Sequence, residues 1–394
     1  MLRFNLSFTP VKVAYATLLV SFLIGSTSYA QIVKSGGGPY QSGDWLINYS
    51  GGFVRRGLSG QLLNFIDLKG QVLLWVVYAI QTLLFALIFL YFGFLASRYP
   101  NNWLVVSLIC SPAAISFYGW DPFAFGRKEV ILYFSLVLLS LAVRLASVNE
   151  VKAKTFLISG LTVYIFGIFC WEPIFLGTIG VLLLTIENFK TLQFTKAKRR
   201  VLSSVLILVS AAAFVLNALF KGSPQVAHEI CLSLRYKEIS KNDFCNGAIA
   251  ALGWSFDYTL QTVRSSYPLY LWYAPLIFLA TIVFLSLKML RRIRAFMILN
   301  TFSFFPLFVV VNDYGRWISM IVITNILILF AFEKEFPLKW RWRTNGNDPK
   351  FGVTSCVYVL FWGIPHYAEP RYGFPIVNPI LSIGKFLQHI LNLF

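Results

Sequence analysis

The chain has 394 residues, 57% of them hydrophobic and only 13% charged, with a formal net charge of +18. Apolar runs recur at about the ~20 residues a spanning helix needs, which excludes a soluble domain and predicts an all-α, polytopic integral membrane protein. No polar stretch is long enough for a folded cytosolic domain and no GxxxxGK[ST] phosphate loop occurs, so ATP-driven work by this chain is not expected.

Reading Gly, Pro and charge breaks as boundaries predicts spans at 11–30, 71–96, 103–119, 129–147, 155–170, 173–187, 201–220, 268–287, 295–311, 316–332 and 351–366. An amphipathic segment at 379–394 follows, giving about 11–12 transmembrane helices in a single membrane domain over 1–394. An N-terminus in the cytoplasm puts Lys190, Lys198, Arg199, Arg200, Arg291, Arg292, Arg341 and Arg343 in cytoplasmic turns, as the positive-inside rule requires. The predicted location is a bacterial inner membrane, and the lipid bilayer accounts for the net charge without nucleic acid as a partner. Arg3, Lys12, the run Val13 to Gly25 and the small residues Ser28 and Ala30 also fit a signal peptide. An uncleaved first helix is preferred because ten further spans follow, and both readings leave 31–70 outside.

That first outer loop carries GDWLINYSGGFVRRG. Asp44, Trp45 and Tyr49 precede Gly51 and Gly52, which permit close backbone approach, and then Arg55 and Arg56, whose guanidiniums suit a phosphate or pyrophosphate. The competing reading is one interfacial amphipathic helix from Trp45 to Ile66. In the turn WDPFAFGRKE, Asp121 is followed by Arg127, Lys128 and Glu129 at a helix start, where cations oppose the helix dipole unless an anion binds. A local ion pair is the alternative. Glu172, in CWEP, interrupts a long apolar stretch, so the chain is expected to break there and to give the carboxylate a partner among Arg127, Arg316 and Arg371.

The long outer loop, 221–267, holds Cys231 and Cys245, which can close a disulfide in an oxidising compartment. In NDYGRW, Asp313 and Arg316 stand three apart beside Trp317, either as a structural pair or as a reacting acid oriented by arginine. PHYAEPRYG gathers His366, Tyr367, Glu369, Arg371 and Tyr372, with His366 placed as a proton carrier. No HExxH or HxxxH spacing exists, so no metal site is expected. Trp45, Trp120, Trp171 and Trp317 suit sugar stacking and the membrane aromatic belt equally.

An acidic residue in the loop after the first helix, arginines in several outer turns and tryptophans beside them resemble the multi-spanning, lipid-linked-sugar glycosyltransferases of the GT-C type. The layout is also similar to O-antigen and capsule polymerases of the Wzy type. The first resemblance implies a GT-C-like architecture with an extracytoplasmic polar cavity and Asp44 as base or metal ligand. The second implies that Arg55, Arg56, Arg127 and Arg316 engage a polyprenyl pyrophosphate. No second acid accompanies Asp44, so no cofactor is expected and a divalent metal is not supported. The expected function is a membrane-embedded glycosyltransferase or polymerase acting on a polyprenyl-linked sugar or oligosaccharide. Asp44, Asp313 and Glu172 are its candidate catalytic acids. Arg55, Arg56, Asp121, Arg127, Lys128, Arg316, His366, Arg371, Trp45 and Trp317 are its candidate substrate-binding residues. A transporter or flippase of a lipid-linked or anionic substrate is the alternative, and a structural assembly subunit is a third class.

Overall fold

The computed structural model describes residues 9–66, 68–239, 242–285, 287, 291–332, 349–367 and 377–391. In chain order its helices are α1 (Pro10–Lys34), α2 (Gln41–Trp45), α3 (Gly57–Asn64), α4 (Gly70–Ser97), α5 (Trp103–Ile109), α6 (Phe117–Trp120), α7 (Glu129–Leu145) and α8 (Glu150–Cys170). A 3₁₀ turn at Glu172–Gly177 leads into α9 (Thr178–Thr191), α10 (Lys196–Leu219), α11 (Pro224–Tyr236), α12 (Asn242–Cys245) and α13 (Phe256–Tyr270). The chain ends with α14 (Tyr273–Leu285), α15 (Arg291–Ser303), α16 (Phe305–Val310), α17 (Tyr314–Ala331), α18 (Pro349–Leu360) and α19 (Pro379–Leu391). No strand occurs among the described residues.

Seven of the described segments are helical, long and apolar enough to cross a membrane, and the chain is a membrane protein. They are Pro10–Lys34, Gly70–Ser97, Glu150–Cys170, Glu172–Thr191, Lys196–Leu219, Arg291–Val310 and Tyr314–Ala331, with shorter apolar helices at Tyr273–Leu285 and Phe351–Leu360. Local chemistry sets several boundaries. Asn149, Thr195, Ser223 and Ser255 each accept a backbone N–H from the first turn of the helix that follows, satisfying donors that have no intrahelical partner.

The predicted span 103–119 is not one straight helix. Pro112 cannot donate to the preceding turn, so α5 stops at Ile109, and irregular backbone fills the gap to α6. Every residue from Trp103 to Asp121 is buried, the condition under which irregular backbone is tolerated at membrane depth. The segment lies against α1, and a Cβ on Gly119 would sit 2.1 Å from the Ser21 carbonyl oxygen, so only glycine permits this crossing.

α17 is the central helix, buried along almost its whole length and packed on α7, α9, α14 and α15. Polar side chains join the helices where no water competes. Asn300 donates to Thr324 Oγ1 at 2.8 Å and to Asn325 Oδ1 at 2.9 Å, and Ser135 donates to the Gly160 carbonyl at 2.8 Å. The outer face of α10 exposes Val201, Val205, Leu208, Val215 and Leu219, a stripe suited to lipid.

The 31–70 and 221–267 loops form one layer at one end of the bundle. The Gly70 N–H donates to the Lys237 carbonyl at 2.6 Å, and the Ala248 N–H donates to the Pro39 carbonyl at 3.1 Å. Asn48 donates to Ser233 Oγ at 3.0 Å. Cys231 and Cys245 are joined by a disulfide within this layer. The alternative of a continuous amphipathic helix from Trp45 to Ile66 does not hold. α2 and α3 are separate and short, with the GGFVRR stretch turning between them, because Gly52 and Arg56 adopt left-handed backbone conformations (φ 101° and 68°).

Candidate functional site

A cavity of about 1700 Å³ is bounded by α1, the 31–70 layer, the turn before α7, the Glu172 break, the start of α17 and α19. Asp44, Arg55, Arg56, Asp121 and Arg127 line it from the N-terminal half, and Glu172, Asp313, Arg316, Trp317 and His366 from the C-terminal half. Much of its remaining wall is apolar, with Ile24, Leu176, Phe214, Leu307, Val310 and Leu381 contributing, and Lys221 and Lys385 line it as well.

The charges are paired over long sequence distances. Glu172 stands where α8 ends and Pro173 opens the 3₁₀ turn, and both its oxygens are taken by the first loop. Arg56 donates to Oε2 at 2.8 Å and to Oε1 at 2.7 Å, while Arg55 Nη1 donates to Oε1 at 3.2 Å. The expected partners Arg127 and Arg316 are therefore replaced by Arg55 and Arg56. The cause is that the Arg55 N–H, bound to the Phe220 carbonyl at 2.8 Å, pins this turn over the break. Arg371, the third expected partner, lies outside the described residues, as do Glu369 and Tyr372.

Arg127, Lys128 and Glu129 do not pair with one another, so the alternative of a local ion pair is corrected too. Glu129 accepts two bonds from Arg316, 2.9 Å from Nε and 2.7 Å from Nη2. Arg316 also holds Asp313, the expected i,i+3 pair, and its guanidinium lies over the rings of Trp171 (5.5 Å) and Trp317 (5.1 Å). Arg127 reaches Asp313 only at 3.8 Å and stands 5.1 Å from the Tyr40 ring centroid, and its Nε is buried without a hydrogen-bond partner. Arg55 Nε is likewise buried and unpartnered. Burial pushes both of these guanidiniums below the usual arginine value, against the pull of the nearby carboxylates. Asp313 shows the reverse balance. Burial acts to raise it, yet Arg316 and Arg127 hold it below the usual carboxylate value.

Lys128 and Trp45 do not reach the cavity. Lys128 is fully buried and donates to the Cys170 carbonyl at 2.8 Å and to the Arg56 carbonyl at 3.1 Å, with Asp44 Oδ1 3.6 Å away. It clamps the Arg56 turn to the end of α8, because a buried ammonium needs several acceptors at once. Trp45 is buried and donates from Nε1 to the Gly126 carbonyl at 2.9 Å, which also accepts from Gln81 at 2.6 Å. Gly126 turns that carbonyl inward at φ 83°.

Asp121 and His366 meet at the cavity wall, with Nδ1 2.8 Å from Oδ2 and the His366 N–H donating to the same oxygen at 2.8 Å. Several residues that line the cavity do not stand out in the sequence, an aromatic group among them. Trp254, just after the 3₁₀ turn at Ala250–Gly253, and Phe256 and Tyr258, in the first turn of α13, are exposed aromatics lining the cavity. The signal was present in the aromatic run WSFDY within a polar loop, but only tertiary packing carries it to the other motifs. The described residues hold no cluster of three or more His, Cys, Asp or Glu able to bind a metal ion.

No family model, curated protein or solved structure matches the chain.

Proposed function

We propose that this protein is a membrane-embedded glycosyltransferase or polymerase that uses polyprenyl-(pyro)phosphate-linked sugars in cell-surface polysaccharide synthesis. It would work at a bacterial inner membrane with its N-terminus cytoplasmic and the cavity on the outer face. The observation that carries this reading is the mixed character of one cavity, charged at the Arg55, Arg127 and Arg316 wall and apolar along Leu176, Phe214 and Val310. A ligand with an anionic head and a hydrocarbon tail matches both walls. The Cys231–Cys245 disulfide supports an oxidising compartment for the loop layer beside the cavity.

The arginines divide by how fully they are used. Arg56 and Arg316 are held in bidentate fashion by Glu172 and Glu129. Arg55 is bound to Glu172 through Nη1 alone and Arg127 reaches Asp313 only at 3.8 Å, and they are the guanidiniums that would meet a phosphate and stabilise its charge as it departs. Trp254 and Tyr258, exposed and edge-to-face at 5.2 Å, offer the stacking surface for a sugar or a lipid. Glu172 serves as the counter-ion that shapes the Arg55–Arg56 turn, since neither of its oxygens is free to take a proton.

The flippase reading is favoured by the 3₁₀ break at Glu172–Gly177, the kind of discontinuous helix that carriers place at a binding site. Proteoliposomes holding the purified chain and a radiolabelled polyprenyl-diphosphate oligosaccharide separate the two. Transfer forms a longer glycan and releases polyprenyl (pyro)phosphate. Movement of intact donor across the bilayer with no new glycosidic bond overturns the transferase reading in favour of the flippase.

A further inference from the structure

Asp121 and His366 come from turns 245 residues apart. The Asp121 carboxylate is fully occupied, since Oδ2 accepts the His366 N–H and contacts Nδ1, while Oδ1 accepts the Phe123 N–H at 3.2 Å. Burial acts to raise this carboxyl, yet His366 and the two backbone donors hold it below the usual carboxylate value, so it is an anion. An anionic carboxylate only accepts, so Nδ1 carries a proton toward Asp121, and in the neutral ring that tautomer leaves Nε2 as the acceptor. His366 is 12% exposed at its side chain, lines the cavity, and has its ring set by Phe123 at 5.9 Å and Tyr367 at 4.3 Å.

The acids on the same wall are differently placed. Glu172 touches Arg55 and Arg56, Asp313 touches Arg316 and Arg127, and Asp44 touches Lys128. Glu172 and Asp313 are bonded directly by guanidinium donors, while Asp44 Oδ1 faces the Lys128 ammonium at 3.6 Å, with Lys128 buried behind the cavity wall. Among the described residues the ion pair of His366 is with the Asp121 carboxylate.

We propose that the Asp121–His366 pair, rather than Asp44, is the proton acceptor of the transfer step, an inference that rests on the glycosyl-transfer reading above. The acceptor hydroxyl oxygen bonds to the anomeric carbon of the lipid-linked sugar as its proton passes to His366 Nε2. The bond from that carbon to the phosphate oxygen breaks, and its electron pair stays on the departing polyprenyl (pyro)phosphate. Asp121 stabilises the imidazolium, which then gives its proton to water. His366 is the catalytic residue, Asp121 is the positioning residue, and Asp44 is left as the counter-ion of Lys128.

Two measurements on the full chain in lipid nanodiscs test this. The first is ¹⁵N-histidine NMR at alkaline pH, with the His366 signals assigned by their loss in His366→Gln. The expected result is an Nδ1–H, Nε2-unprotonated ring in the wild type, displaced toward the Nε2–H tautomer in Asp121→Asn. An Nε2–H ring in the wild type overturns the proposal, whatever the variants do. The second is transfer from a polyprenyl-diphosphate oligosaccharide. His366→Gln should lower turnover by about 10²-fold or more while retaining bound polyprenyl phosphate, and His228→Gln should match the wild type. Full turnover by His366→Gln, with Asp44→Asn inactive, overturns the dyad and leaves the transferase reading standing. Absence of transfer by the wild type removes that reading and with it the proton-acceptor role, while the tautomer result still shows whether Asp121 orients the ring.

Discussion

Two arginine–carboxylate clusters stand on the same cavity wall and differ in depth. In the first, Arg316 and Glu129 have side-chain exposures of 6% and 0% and join the start of α17 to the start of α7 under Trp171 and Trp317. In the second, Arg55 and Arg56 are 27% and 21% exposed and reach Glu172 from a loop. The bonding is alike, but the surroundings are not. A guanidinium deep among helices cannot lose its partner without standing as an uncompensated charge, whereas one at the cavity mouth can exchange a carboxylate for water or for a ligand's phosphate. The first cluster is framework, and the second is where a ligand can compete.

The sharpest way to break this contrast is Glu129→Gln. It leaves Arg316 with Asp313 alone and should cost about 3–5 kcal/mol, seen as loss of monodisperse protein and a lowered melting temperature in detergent. A wild-type melt would put both clusters in one class. Cys231→Ser comes next. Opening the Cys231–Cys245 loop should cost ~3 kcal/mol in the layer that carries the second cluster, measured as earlier thermal unfolding of the non-reduced protein.

Arg55→Lys should hardly move stability, by less than about 1 kcal/mol at this partly exposed site. It should nonetheless weaken retention of polyprenyl phosphate about tenfold, because lysine lacks the planar fork. Equal retention by native mass spectrometry would take Arg55 out of the ligand's reach. The smallest expected effect is on acid stability. Asp121 and Asp313 both titrate below their ordinary 3.8 in the folded protein, so their contribution is complete above that value and is lost as pH falls through the lower folded values. Asp121→Asn should flatten the acid limb of the melting profile, and an unchanged limb would show that the His366 contact does not stabilise the fold.

What the sequence determined by itself is what depends on neighbours in the chain. Apolar runs specified the membrane class and most span positions, since each run reports its own fit to lipid. The break at Glu172 and the Asp313–Arg316 pair, three residues apart, were legible for the same reason. The tertiary structure decided the rest. Glu172 meets Arg55 and Arg56, Glu129 meets Arg316, and Asp121 meets His366, each across more than a hundred residues. It also decided that Lys128 and Trp45 turn into the protein while Trp254 and Tyr258 face the cavity. Each of these outcomes depends on which helix ends lie side by side, and that is set by packing along faces such as the α1 crossing at Gly119 and the Asn300–Thr324 contact, which no single stretch of chain contains.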